Sequence, residues 1–336
     1  MLIDLMSGLG YSDEQIKSII SSYSLQGYRE DSLCRKIKNN YSLLVEIGYK
    51  HDDIIKMTAS APEMYAFTDN YIRNRVRTLI DMGYTKEDII KITVIDPILY
   101  LLHMDTIKKK FKDLMNLGYS KEEVLMITKR HSGIYQFDIK TLMSKIKDME
   151  SLGYSYLDVL RMVKHRPQII CSDIETIKKR INNIVLLGHD RNDVLKMTSS
   201  FSSLFGLSID NMKQKITDLM GLGFSKEEVL KMLCVLPTLY CLCIDTIREK
   251  KEFYDSIGLT RIMVTDTKSM MQGIELSYAR YMFYKSIGED ITQDNVNLLF
   301  EGQKYFYKRY GKTKEALIME FNYYRDTGKS KKRKKD

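Results

Sequence analysis

Basic side chains recur in this chain at a fixed interval. Arg75, Lys110, Lys145, Arg180, Lys215 and Lys250 stand thirty-five residues apart, and Arg280 fills the same place, eight residues before a glycine. Two residues earlier, Arg73, Lys108, Lys178, Lys213 and Arg248 form a second column, broken by Met143. Guanidinium and ammonium groups set in a line suit one kind of chemistry, the neutralisation of successive phosphates. Both Lys and Arg occur in the slot, which points to charge rather than one side-chain shape; plain duplication of a soluble lysine would leave a similar column. A third set, Lys56, Lys91, Arg161, Lys196 and Lys231, opposes the apolar face of its helix, and Asp52, Glu87 and Glu227 precede three of its members by four residues. That pattern describes a solvated face. Residues that read bases would vary between repeats. The exposed positions Asn74, Lys109, Ser144, Lys179, Gln214 and Glu249 do vary, as an unconstrained surface also would.

The elements that carry these columns follow from the same period. Glycines recur at Gly48, Gly83, Gly118, Gly153, Gly188, Gly223 and Gly258, and all four prolines, Pro62, Pro97, Pro167 and Pro237, fall fourteen residues after one of them. Ser132 and Ser202 stand in that slot elsewhere. A period of this length means stacked units that bury their apolar faces only against neighbours. Within a unit, Ser225 with Glu228, Ser120 with Glu123, Thr85 with Asp88 and Ser155 with Asp158 start a first helix, A, by the reciprocal capping pattern. Its core is Val229, Leu230 and Leu233, or Ile54, Ile55 and Thr58, at helical spacing. The proline ends it. A short apolar piece follows, then a second cap at Thr68, Asp138, Asp173 or Ser208, then helix B with a stripe such as Ile107, Phe111, Leu114 and Met115. The glycine closes helix B in the left-handed conformation.

The predicted fold is therefore all-α: an α-solenoid of about eight helix–3₁₀–helix repeats forming a curved superhelix. Residues 1–288 make the array, with degenerate first and last repeats as caps. Residues 289–327 are expected to add capping helices rich in Tyr305, Phe306, Tyr307, Tyr310, Tyr323 and Tyr324. Residues 328–336, ending in KSKKRKKD, read as a disordered basic tail.

With 53 Lys and Arg against 44 Asp and Glu, the net charge is +9, which favours a polyanionic partner. Cys34, Cys171, Cys234, Cys241 and Cys243 occupy different repeat positions without metal-ligand spacing and read as reduced thiols. His51, His103, His131, His165 and His189 are likewise scattered. There is no phosphate-cradling glycine loop and no HExxH, so neither catalysis nor a metal or cofactor is expected. No apolar run is long enough to span a membrane. The N-terminal MLIDLMSGLGYS is already repeat-like, so the expected setting is intracellular: cytoplasm or nucleoid for a bacterial protein, an organelle matrix for a processed one.

The segment LGFSKEEVLKMLCVLPTLYCLCIDTIREK, and its copies over roughly residues 8–290, resembles the repeat of the mitochondrial transcription termination factor (mTERF) family. SYARYMFYKSIG is similar to the way that family's arrays close. The resemblance implies two antiparallel helices and a 3₁₀ segment per unit, and a basic groove for nucleic acid used in transcription or RNA maturation, without enzymatic activity. Duplex DNA is the favoured ligand and structured RNA the next, bound by a monomer. A single-strand RNA reader of the pentatricopeptide type shares the period but not the mid-repeat proline. A protein-binding scaffold is the reading from another class.

Overall fold

In the computed structural model, which describes residues 1–328, the capping residues set the start of helix A as the sequence requires. Glu123 N–H donates to Ser120 Oγ at 3.2 Å while Ser120 N–H donates to Glu123 Oε2 at 2.9 Å. The same reciprocal pair closes at Thr85/Asp88, Ser155/Asp158 and Ser225/Glu228, and also at Ser12/Gln15 in the first repeat. The second caps hold too, with Thr68, Asp138 and Ser208 accepting from the backbone three residues on. Gly48, Gly83, Gly118, Gly153, Gly188, Gly223 and Gly258 all have positive φ, between 78° and 112°. A side chain would strain this left-handed closure.

The chain divides into two compact units, Met1–Ile177 and Lys178–Asp336. In the first, helices A and B alternate as Asp13–Ser21 and Glu30–Ile47, His51–Ser60 and Asp69–Met82, Lys86–Ile95 and Met104–Asn116, and Lys121–Arg130 and Ile139–Ser151, before a last helix A, Tyr156–His165. In the second come Arg191–Ser200 and Ile209–Met220, Lys226–Val235 and Ile244–Ser256, then a helix A shrunk to Ile262–Thr265 and its partner Ile274–Ser286. The connectors are 3₁₀ turns at Pro62–Ala66, Ser132–Gln136, Ser202–Gly206 and Pro237–Cys241, whereas Ile98–Leu101 and Gln168–Cys171 tighten into single α turns. No strand occurs among the described residues. Beyond Gly288 a 3₁₀ segment, Val296–Phe300, leads to helices Gln303–Tyr310, Lys314–Glu320 and Tyr323–Thr327. The basic run 329–336, expected to be disordered, lies outside the described residues.

Hydroxyl groups bind successive repeats inside the core of the first unit. The tyrosine after each closing glycine reaches a threonine on helix A of the next repeat: Tyr49 OH meets Thr93 Oγ1 at 2.5 Å and Tyr84 OH meets Thr128 Oγ1 at 2.6 Å. A second tyrosine, on the connector, completes each node, with Tyr100 OH 3.1 Å from Tyr49 and Tyr135 OH 2.8 Å from Tyr84. Tyr11, Thr58 and Tyr65 repeat the arrangement. Each threonine also donates to the carbonyl four residues earlier, as Thr93 does to Ile89 at 2.7 Å, so the buried hydroxyls satisfy one another. Burial pushes the Tyr49 phenol up to about 12. Where Val163 and Ile170 replace the threonine and second tyrosine, Tyr119 turns to the Leu160 carbonyl instead, at 3.0 Å.

Candidate nucleic-acid interface

Helix B carries both predicted columns, and two residues of spacing separate their fates. Arg73, Lys108, Lys178, Lys213 and Arg248 all project from the exposed face. Arg73 makes a forked pair with Glu46, at 2.8 and 2.6 Å, and Arg248 pairs with Asp245 at 2.5 Å. These pairs are solvent-exposed and worth little against a phosphate partner. Met143, which interrupts the column, is itself exposed.

The neighbouring column turns inward, which corrects the expectation that it lines an open edge. Arg75, Lys250 and Arg280 are buried, and Lys110, Lys145, Arg180 and Lys215 are half-buried. Their nitrogens reach the connector of the following repeat and donate to its carbonyls. Lys110 Nζ donates to Phe137 O at 3.0 Å, Lys145 Nζ to Ser172 O at 3.2 Å, and Lys215 Nζ to Leu242 O at 2.5 Å. Arg180 Nη2 donates to Leu204 O at 3.2 Å, Arg280 Nη1 to Leu299 O at 2.9 Å, and Lys250 Nζ to Met270 O. Arg75 acts through Tyr71, whose hydroxyl donates to Tyr100 O at 3.1 Å. Burial lowers the Lys110 and Arg280 pKa values and brings Lys250 down to about 8. A long basic side chain beside the core stripe thus works as an inter-repeat clamp.

One signal in the sequence could have revealed this. Asn40, eight residues before Gly48, occupies the same slot and donates to Met64 O at 2.9 Å and Phe67 O at 3.1 Å. A neutral amide serves there, so the slot demands a hydrogen-bond donor on a side chain of sufficient reach, and charge is secondary.

The column expected to be solvated is exposed, at Lys56, Lys91, Arg161, Lys196 and Lys231. Its ion pairs run to the carboxylate three residues earlier, Arg161 to Asp158 at 3.3 Å and Lys196 to Asp193 at 3.7 Å. A fourth set stands three residues after the repeat glycines: His51, Lys86, Lys121, Arg191, Lys226 and Arg261. Lys86, Lys121 and Lys226 lie over Gly48, Gly83 and Gly188, at the negative end of the preceding helix B. Tyr156, the exception, donates instead to Leu117 O at that helix end, at 2.9 Å. Between neighbouring A helices, Lys129 pairs with Asp88 at 2.7 Å and Lys164 with Glu123 at 2.6 Å.

All five cysteines are free thiols. Among the described residues no cluster of His, Cys, Asp or Glu is arranged to hold a metal ion, and no helix is long and apolar enough to cross a membrane.

Glycine-closed helix pairs, joined by a kinked connector and repeated in register, define an all-α helical-repeat protein. The sequence profile of the mTERF family matches residues 1–147 and 134–220, and the chain belongs to that family. No curated protein matches it significantly. Membership suggests a nucleic-acid-binding repeat protein.

Proposed function

We propose that the protein is a non-enzymatic nucleic-acid-binding protein that grips a phosphate backbone through the exposed column on its B helices and so regulates transcription or RNA maturation. The observation that carries this reading is the selective exposure of Arg73, Lys108, Lys178, Lys213 and Arg248, while the equally basic residues two positions on are drawn into the fold. Structural clamping accounts for the inner column, whereas the outer one faces solvent. Exposed cations recurring from repeat to repeat suit a phosphate backbone, with duplex DNA the favoured ligand and structured RNA next in rank. A protein partner is the second reading. It is favoured by Val45, Ile80 and Met115, 41–48% exposed at equivalent positions of successive B helices in the first unit.

Fluorescence anisotropy with duplex DNA, single-stranded DNA, duplex RNA and single-stranded RNA, each over a salt series, tests the proposal. Binding whose logarithm falls steeply with the logarithm of salt supports the phosphate column, and the order of the four ligands selects among nucleic acids. Flat curves for all four refute it in favour of a protein partner.

A further inference from the structure

The C-terminal helix Gln303–Tyr310, expected to bury its aromatic residues over the open end of the core, does so with only part of them. Phe306 is fully buried, 5.4 Å from the Phe283 ring, and Tyr310 packs on Phe283 at 4.9 Å and Tyr284 at 5.8 Å. The Arg280 guanidinium lies over the Phe306 ring at 4.9 Å. Tyr305 and Tyr307 point the other way, 69% and 54% exposed, and are the most exposed tyrosines among the described side chains. Lys304, Lys308 and Arg309 share the outer surface with them. At 100° per residue, Lys304 and Lys308 fall between the two tyrosines around the helix, and Arg309 falls just beyond Tyr305. The outward face therefore reads Tyr, Lys, Lys, Tyr, Arg, without a carboxylate or an aliphatic side chain of its own. Arg309 is held by Glu301 at 3.5 Å. Lys312, just past the helix, pairs with Glu320.

We propose that this face is a second nucleic-acid contact, specific for single strands: unpaired bases stack on Tyr305 and Tyr307 while the intervening phosphates meet Lys304 and Lys308. Stacking needs an unpaired base with a free π-face, and a basic ridge between two rings supplies the rest of a single-strand platform. A membrane surface is disfavoured because an interfacial helix needs an apolar face, and the apolar face of this one is spent on Phe283 and Tyr284. Phe306 and Tyr310 fix the helix, so the two rings are presented on a rigid support. The site rests on the reading that the protein binds nucleic acid, but it is separate from the B-helix column and is tested separately.

The experiment uses the full chain with labelled oligothymidylate and oligouridylate of about 16 nucleotides, a length that covers one such platform, and with duplex DNA. Tyr305→Ala with Tyr307→Ala should weaken single-strand binding by about tenfold or more and leave duplex binding and the melting temperature unchanged. Tyr305→Phe with Tyr307→Phe, which keeps both rings, should retain single-strand binding. The ratio of the two oligonucleotides distinguishes DNA from RNA as the strand bound. Equal loss on duplex and single strand, or no loss on either, overturns the proposal. A wild-type protein that binds duplex but no single strand overturns it alone, whereas one that binds no nucleic acid overturns the parent reading as well.

Discussion

Replacing Lys213 and Lys215 by methionine, one at a time, sets the two basic columns against each other on a single helix. Both lysines lie on Ile209–Met220, two residues apart. Lys215 Nζ holds the Leu242 carbonyl at 2.5 Å, whereas Lys213 stands on the exposed face. Methionine keeps most of the aliphatic stem, so the loss is that of the ammonium. A hydrogen bond from a charged donor contributes about 1.5–3 kcal/mol. Lys215 is half-buried and methionine recovers some desolvation, so about 1–2 kcal/mol is expected for Lys215→Met. In a unit of this size that lowers Tm by about 2–8 °C. Affinity for duplex DNA below the new melting temperature should hold within about twofold, because the Lys215 ammonium is committed to the Leu242 carbonyl. Lys213→Met should do the reverse. Stability stays within about 0.5 kcal/mol, and the slope of log affinity against log salt shrinks by about 0.9, the release of counterion from a single phosphate. Differential scanning calorimetry and an anisotropy salt series on the same two preparations read both quantities. Loss of affinity at unchanged Tm in Lys215→Met would refute the clamp, and an unchanged salt slope in Lys213→Met would refute the phosphate column.

Two further outcomes concern the core. Thr93→Val removes the hydroxyl that meets Tyr49 OH and should cost about 1–3 kcal/mol by thermal unfolding; adding Tyr100→Ile, which reproduces the natural Val163 and Ile170 combination, should restore part of it. His189 bonds Tyr240 OH at 2.8 Å, and burial depresses its pKa to about 4. The unfolded chain takes up a proton near pH 6.5 that the folded one refuses, so this contribution is intact above pH 6.5 and is lost as pH falls toward 4. The loss is up to about 1.4 kcal/mol per pH unit. His189→Phe should flatten that part of the stability–pH curve; an unaltered curve assigns the acid sensitivity elsewhere.

The repeat period, the capping pairs, the glycine closures and the connector kinks were all legible because each is fixed within a few residues of chain. Thr85 with Asp88 or Gly83 at φ 111° needs no knowledge of the neighbouring repeat. The clamp was not legible from a helical wheel, which gives the direction of a side chain but not its reach. Lys110 leaves the edge of its stripe, and its four methylenes carry the ammonium to Phe137 in the next repeat. The tyrosine–threonine nodes are hidden for a related reason: Thr58 falls among apolar positions and reads as a small core residue until Tyr11, from the preceding repeat, is placed beside it. The outward turn of Tyr305 and Tyr307 was hidden by the run of aromatics around them, since Phe306 and Tyr310 alone satisfy the core.

The clamp also gives the array a direction. Each repeat offers a donor forward and a carbonyl backward, so an internal unit is chemically complete only between two others. At the far end Arg280 donates to Leu299 in the 3₁₀ segment Val296–Phe300, and Gln272 donates to the same carbonyl at 2.7 Å. The terminal segment thus imitates the connector of a repeat that is not there. Gain or loss of one whole thirty-five-residue unit leaves every donor with an acceptor. Chains built on this joint are free to change length over evolution in whole-repeat steps.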